Sequence, residues 1–140
     1  MENINRIQSP VIKHENELAN ELSKAHYESC RLPGKSTKTP DFIVGNGESV
    51  FSIAVKITTR NQIKFKAEEI KALIRFSWKF QTEPWVAAKF IDRTQWLFLR
   101  PHALEISEDN KIVSIQYAKA IMKGLSVKEV ISNELQKRII

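Results

Sequence analysis

Asp41 and Lys56 are the two residues of this 140-residue chain whose types and spacing best suit chemistry on a charged substrate. Asp41 opens an apolar run, Asp41-Phe42-Ile43-Val44, and after Gly45-Asn46-Gly47 a second run from Val50 to Ile57 carries Ala54 and Lys56. Two strand-forming runs around a Gly-Asn-Gly turn predict a hairpin. With the reversal between Gly47 and Glu48, positions 41 and 54 face each other with Cβ atoms about 5 Å apart. Two carboxylates at that spacing could share one hard cation, but position 54 is alanine.

The second run puts Phe51, Ile53, Val55 and Ile57 on one face of a strand and Val50, Ser52, Ala54 and Lys56 on the other. The first face reads as core. Small residues around Lys56 are expected to leave space above the second, enough for a large ligand such as a DNA backbone. Lys13, Arg31, Lys35, Lys38, Arg60, Lys64 and Lys66 fall in segments expected to surround the hairpin. Singly, each is an ordinary solvated charge. Grouped around a carboxylate and a lysine they suggest phosphate contacts, which position a duplex without reading its sequence. A net charge of +6 and a pI near 9.5 fit a polyanionic partner.

The elements that must hold these groups follow from periodicity and punctuation. A first helix is expected from about Val11 to His26, with Val11, Leu18, Leu22 and Ala25 as its seam and Glu15 in the remaining seam position. On the residues alone, Glu15 reads as a first-turn charge near the positive end of the helix dipole. Strands are expected near 27–32, 41–46 and 49–59, then a polar β segment over Gln62–Phe65 and a helix near 66–80 with Ile70, Leu73, Ile74 and Ser77 in its apolar stripe. Two more strands, near 85–92 and 95–100, turn at Asp92-Arg93-Thr94. A short strand near Lys111–Gln116 precedes a last helix from Val127, where Ser126 and Glu129 have capping-box spacing. This order predicts one α/β domain over residues 1–140, with a central mixed sheet flanked by helices.

Pro40-Asp41, followed at strand distance by Val55-Lys56, resembles the PD-(D/E)XK nuclease superfamily, and the order of elements resembles its archaeal-type Holliday junction resolvases. Those proteins begin with a glutamate-bearing helix, here Lys13-His14-Glu15 leading into Leu18 and Leu22. They reach the motif through an Arg-aliphatic-Pro edge strand and a serine-containing loop, here Arg31-Leu32-Pro33-Gly34-Lys35-Ser36. The polar β segment, helix and strand pair at Gln62–Phe65, Lys66–Phe80 and Pro84–Arg100 extend the resemblance over about residues 10 to 101. It implies a restriction-endonuclease-like fold and a structure-selective endonuclease that resolves four-way DNA junctions by Mg²⁺-dependent phosphodiester hydrolysis, with Mn²⁺ able to substitute. In such a site Asp41 and the Val55 carbonyl hold the metal and Glu15 orients the attacking water. Lys56 contacts the phosphate or the nucleophile, and Ser36 lies near the scissile phosphate. Symmetric cutting of two strands implies paired sites, most simply a homodimer, for which Ile131, Leu135 and Ile139 are candidate apolar contacts.

The chain departs from that family at Ala54, where the motif has glutamate, and the loss should weaken metal binding and could abolish turnover. Three explanations stand: an engineered replacement, a natural paralogue that binds branched DNA without cutting, or a carboxylate supplied from elsewhere. Some restriction endonucleases of the superfamily draw theirs from the following helix, and Glu69, thirteen residues past Lys56, is the alternative metal carboxylate. As an isolated residue, Glu69 is a charge that favours a helix N-terminus.

Composition bounds these readings. With 42% apolar and 27% charged residues the chain can bury a core, and no apolar run approaches a membrane span. The stretch MENINRIQSP has no signal region, so a cytoplasmic, nucleoid-associated location is expected, or that of a viral protein in its host's cytoplasm. Cys30 cannot form an intramolecular disulfide and is expected to pack in the edge strand. His14, His26 and His102 lack zinc spacing, and Trp78, Trp85 and Trp96 lie in apolar surroundings that predict core positions. No glycine-rich phosphate loop or nucleotide signature is present.

Overall fold

The computed structural model describes residues 10–34 and 38–139. Helix α1 (Pro10–Lys24) leads to strand β1 (Glu28–Arg31), the hairpin of β2 (Phe42–Gly45) and β3 (Val50–Thr58), and strand β4 (Gln62–Lys66). Helix α2 (Ala67–Phe80) returns the chain to β5 (Glu83–Phe90) and β6 (Leu97–Leu99). A 3₁₀ turn (Pro101–Ala103), β7 (Glu105–Ile106), β8 (Ile112–Gln116) and helices α3 (Tyr117–Lys123) and α4 (Val127–Ile139) follow. The main sheet runs β1-β2-β3-β5-β6 and is mixed, because β3 and β5 are parallel while the other pairs are antiparallel. The small antiparallel sheet runs β4-β8-β7.

The hairpin register is the one its turn predicts. Phe42 pairs with Ile53 and Val44 with Phe51, so the next step of the ladder sets Asp41 against Ala54. The Asp41 N–H donates to the Ile53 carbonyl at 2.9 Å. On one face of the main sheet Phe51, Ile53, Val55, Trp85 and Phe98 pack with Leu18 and Leu22 of α1 and Val127 and Val130 of α4. On the other, Ala54, Val86, Ala88 and Phe90 pack with Ile70 and Leu73 of α2 and with Phe65 and Ile115 of the small sheet. Burying each such aliphatic or aromatic side chain contributes about 1.5–3 kcal/mol.

That second core corrects one expectation. The Ser52–Ala54 face of β3 is not open: Ser52 is fully buried and Ala54 is 7% exposed. Small side chains there let α2 approach the strand, and the Ser52 hydroxyl is satisfied by the Thr82 hydroxyl. This face opens only at its ends, at Val50, which is 40% exposed, and at half-buried Lys56.

Other expectations shift for local reasons. Helix α1 stops at Lys24 because His26 takes a left-handed conformation, φ 69°, while the Tyr27 N–H closes on the Leu22 carbonyl at 3.1 Å. Val11, in the first turn, is 44% exposed and leaves the seam. Trp85 and Trp96 are core, but Trp78 is 81% exposed and Ile74 49%, because both lie on a flank of α2 beyond its buried stripe. Cys30 is exposed on β1, an edge strand with only one pairing partner. Helix α3 was not foreseen; it buries only Ala120 and so shows no apolar stripe. At the other edge, Leu125 bridges Phe98 of β6 through two backbone hydrogen bonds of 2.7 and 2.9 Å. Among the described residues no helix is long and apolar enough to cross a membrane.

Helix α4 starts in the predicted capping box, with the Ser126 N–H donating to Glu129 Oε1 at 2.8 Å and the Glu129 N–H to Ser126 Oγ at 3.1 Å. It is tied to the hairpin by the Ser49 hydroxyl, which donates to Glu134 Oε1 at 2.7 Å. Burial pushes the Glu134 carboxyl up, but the Ser49 hydroxyl and the Lys137 ammonium outweigh it and hold the group below the usual carboxylate range. A folded-state pKa lowered in this way adds stability above the unfolded carboxyl pKa, and the contribution is lost as pH falls through the folded value. Ser49→Ala is expected to raise the Glu134 midpoint in a carboxyl NMR titration and to shrink the stability lost on acidification; an unmoved midpoint would refute the assignment.

Candidate active site

Asp41 is held from three sides. Its carbonyl accepts the Leu32 N–H at 2.9 Å, and its Oδ2 accepts the Val55 N–H at 2.7 Å. Its Oδ1 lies against Gly34: a Cβ at position 34 would sit 2.6 Å from that oxygen. Gly34 also has φ +76°, a left-handed conformation that glycine adopts without strain. The loop it opens is closed by Thr39, whose hydroxyl accepts the Gly34 N–H at 3.0 Å while its own N–H donates to the Gly34 carbonyl at 3.1 Å. The Val55 carbonyl, two residues along β3 from the Ile53 carbonyl that receives Asp41, lies on the same edge of the strand.

Asp41, Ala54, Lys56 and Glu69 line one cavity of about 450 Å³ between the start of β2, the end of β3 and the first turn of α2. The Lys56 ammonium lies 5.0 Å from the centre of the Phe65 ring, a cation–π contact. Glu69 serves its helix as the residue-level reading expects, its Oε1 accepting the Lys66 N–H at 2.9 Å. It also faces the cavity. Lys38, Lys64 and Lys66 stand at the exposed mouth, so with Lys56 four ammonium groups meet the carboxylates of Asp41, Glu68 and Glu69. Among the described residues no three histidines, cysteines or acids group to hold a metal. Two carboxylates and a backbone carbonyl nevertheless suit Mg²⁺, which usually takes one or two carboxylates and completes its shell with phosphate and water oxygens.

The remaining predicted residues divide. Glu15 is buried on the α1 seam, 9% exposed, but it pairs with Arg31, which also reaches Asn16 Oδ1 at 2.9 Å. Neither Glu15 nor Arg31 lines the cavity. Arg60 lies in an adjoining groove that shares Lys56 and Lys64 with the cavity and is walled by Gln62 and Gln116. Lys13 is exposed on α1, outside both. Lys35 and Ser36 lie outside the described residues. Sequence reasoning gave no role to Gly34, Thr39 or Phe65; the local cue at Gly34 was a Pro-Gly step, but its approach to Asp41 is a tertiary fact.

A central mixed sheet with an acid and a lysine at the ends of adjacent strands, helices on both faces and a basic mouth defines a restriction-endonuclease-like nuclease scaffold. The sequence model described as archaeal Holliday junction resolvase (Hjc) matches residues 12–139, and the chain belongs to that family. It is 27% identical over 122 residues to the crossover junction endodeoxyribonuclease Hje of Saccharolobus solfataricus, covering 81% of this chain and 90% of the relative. It is 29% identical over 121 residues to the crossover junction endodeoxyribonuclease Hjc of Methanocaldococcus jannaschii, covering 81% and 88%. The solved structure of Archaeoglobus fulgidus Hjc, a Holliday junction resolvase, superposes with a TM-score of 0.77 at 30% identity, covering 89% of this chain and 97% of that one.

Gly34→Ala should displace the Asp41 carboxylate, whereas Gly47→Ala, at φ +94° with nothing within 4 Å, adds only backbone strain. Gly47→Ala is expected to lose about 1–2 kcal/mol in denaturant unfolding, and Gly34→Ala at least as much. Only Gly34→Ala is expected to weaken Mn²⁺ binding, read by titration calorimetry; equal metal affinity in the two variants would dismiss the contact.

Proposed function

We propose that this chain is a structure-selective endonuclease that cuts four-way DNA junctions by Mg²⁺-dependent phosphodiester hydrolysis, and that Glu69 stands in for the carboxylate absent at Ala54. The observation that carries the reading is the convergence of Asp41, Lys56 and Glu69 on one cavity ringed by lysines, in a chain of the Hjc family. Asp41, Glu69 and the Val55 carbonyl would hold the metal. Mg²⁺ bound there supplies a Lewis acid for the phosphate oxygens and lowers the pKa of an attacking water.

The chain's own residues do the rest. Lys56, steadied over Phe65, offers positive charge where the phosphorane develops negative charge. Lys38, Lys64, Lys66 and, along the adjoining groove, Arg60 neutralise neighbouring phosphates and fix the strand's position. Glu15 is given a positioning part, because Arg31 engages its carboxylate and it stands away from the cavity lining.

A junction presents two equivalent strands, which favours a homodimer with two such sites. We place its contact on the flank of α2 where Ile74 and Trp78, one helical turn apart, are 49% and 81% exposed. Exposed apolar side chains that adjoin on one face mark association surfaces. The C-terminal helix offers less, since Ile131 packs against the core, Leu135 is half-exposed and the side chain of Ile139 lies outside the described ones.

With a labelled junction and Mg²⁺ or Mn²⁺, the chain is expected to cut, Glu69→Gln to slow cutting roughly a hundredfold or more, and Ala54→Glu to change it little. Cutting that survives Glu69→Gln but rises with Ala54→Glu would remove Glu69 from the site; a folded chain that binds junctions and never cuts in either form would remove the nuclease reading. In sedimentation at low micromolar concentration the chain should be a dimer and Trp78→Lys a monomer. A dimer indifferent to that change would move the interface elsewhere.

A further inference from the structure

The small sheet turns Ile63, Phe65, Val113 and Ile115 into the core, so the alternate residues of β4 and β8 stand outward in facing rows: Lys66 with Ile112, Lys64 with Ser114, and Gln62 with Gln116. Rows on such a face lie about 7 Å apart. Lys66, Ile112 and Lys64 line the cavity, and the glutamines line the groove that leads off it past Arg60. Gln62 is half-buried, while Gln116, Lys64, Lys66 and Arg60 are exposed, so the face is open to a large ligand. Strand β7 pairs only with Val113 and Ser114, and at the glutamines the sheet narrows to a two-stranded ribbon. That end is braced. The Tyr117 N–H donates to the Asn61 carbonyl at 2.9 Å, and Arg93, 3.6 Å from the centre of the Tyr117 ring, donates to Asn61 Oδ1 at 3.1 Å.

The glutamine row offers a fixed pattern. Gln116 Nε2 donates to Gln62 Oε1 at 3.2 Å, which leaves the Gln62 amino group as donor and the Gln116 carbonyl as acceptor; turning both amides over exchanges the roles and keeps the pattern. A phosphate, which only accepts, would use half of it. In the major groove the base that sets a donor beside an acceptor is adenine, with N6–H and N7, and a groove about 12 Å wide admits a two-stranded ribbon. We propose that the β4–β8 ribbon lies in the major groove of the duplex arm leaving the cavity, with Gln62 and Gln116 on the N6–N7 edge of one adenine and Lys64 and Arg60 on the phosphates beside it. One to two rows, at about 3.4 Å per base pair, place that adenine about two to four pairs from the cut. The inference rests on the reading that the chain binds branched DNA, and it adds a base preference within one arm.

The test is the affinity of the full chain, in EDTA, for labelled four-way junctions and linear duplexes in which one A·T pair is moved stepwise along an otherwise G·C arm, read by fluorescence anisotropy. At one position the A·T pair is expected to tighten binding about fivefold or more over G·C. 7-Deazaadenine at that position, which removes only the N7 acceptor, should forfeit most of the gain. In a folded Gln62→Ala, Gln116→Ala double variant both effects should vanish while the slope of affinity against salt, set by the phosphate contacts, is unchanged. Binding indifferent to the position of the A·T pair, or a 7-deazaadenine loss that persists in the folded double variant, would each overturn the proposal. A base preference shown on duplex by a chain that does not favour junctions keeps the ribbon and loses the branched-DNA reading; tight junction binding indifferent to base does the reverse, and a chain that binds neither DNA loses both.

Discussion

Strand β3 is the constraint on which the rest depends. It is hydrogen-bonded on both edges, antiparallel to β2 and parallel to β5, and covered on both faces, so Phe51 to Val55 are buried without interruption. A strand so enclosed has one register, because a slip by one residue would exchange the aromatic face that meets α1 with the small face that meets α2. That register sets Asp41 beside Val55 and brings Lys56 out at the strand's open end. The site is therefore a by-product of core packing at one end of one strand, and its precision is inherited from the core.

In the proposed site Glu69 answers to two demands. Its Oε1 satisfies an amide at the start of α2, which the helix would otherwise leave to solvent, and the same rotamer keeps the carboxylate in the cavity with Asp41. A carboxylate on β3 needs only the strand to position it. One borrowed from α2 also needs the helix to begin at Ala67, and the Ala67 N–H fixes that start by donating to the Lys111 carbonyl at 2.8 Å.

Much of this was legible in the sequence where local rules and burial agree. The hairpin register follows from a turn and two alternating runs, and the capping box before Val127 from two residues three apart. The pairing of Asp41 with position 54 could be stated before any coordinate. What was hidden belongs to tertiary contact. Ser52 and Ala54 look like a strand face left open, and only the approach of α2 makes them core. Trp78 looks like core and is surface, because hydrophobicity does not say which flank of a helix meets a sheet. The contact between Gly34 and Asp41 joins two points seven residues apart across a loop, and no periodicity reports it.

The edges of the main sheet carry a last consequence. Strand β1 has four residues, two of them the charged Glu28 and Arg31, and β6 has three, with Leu125 already bonded to Phe98 on its outer side. Short, charged or covered edges give an incoming strand little to pair with. The main sheet therefore offers strand addition poor edges, and a protein with an apolar centre and exposed aromatics on α2 is guarded against fibrillar aggregation through that sheet. Association between copies is thereby biased toward side-chain contacts, which set a fixed geometry and a finite number of partners.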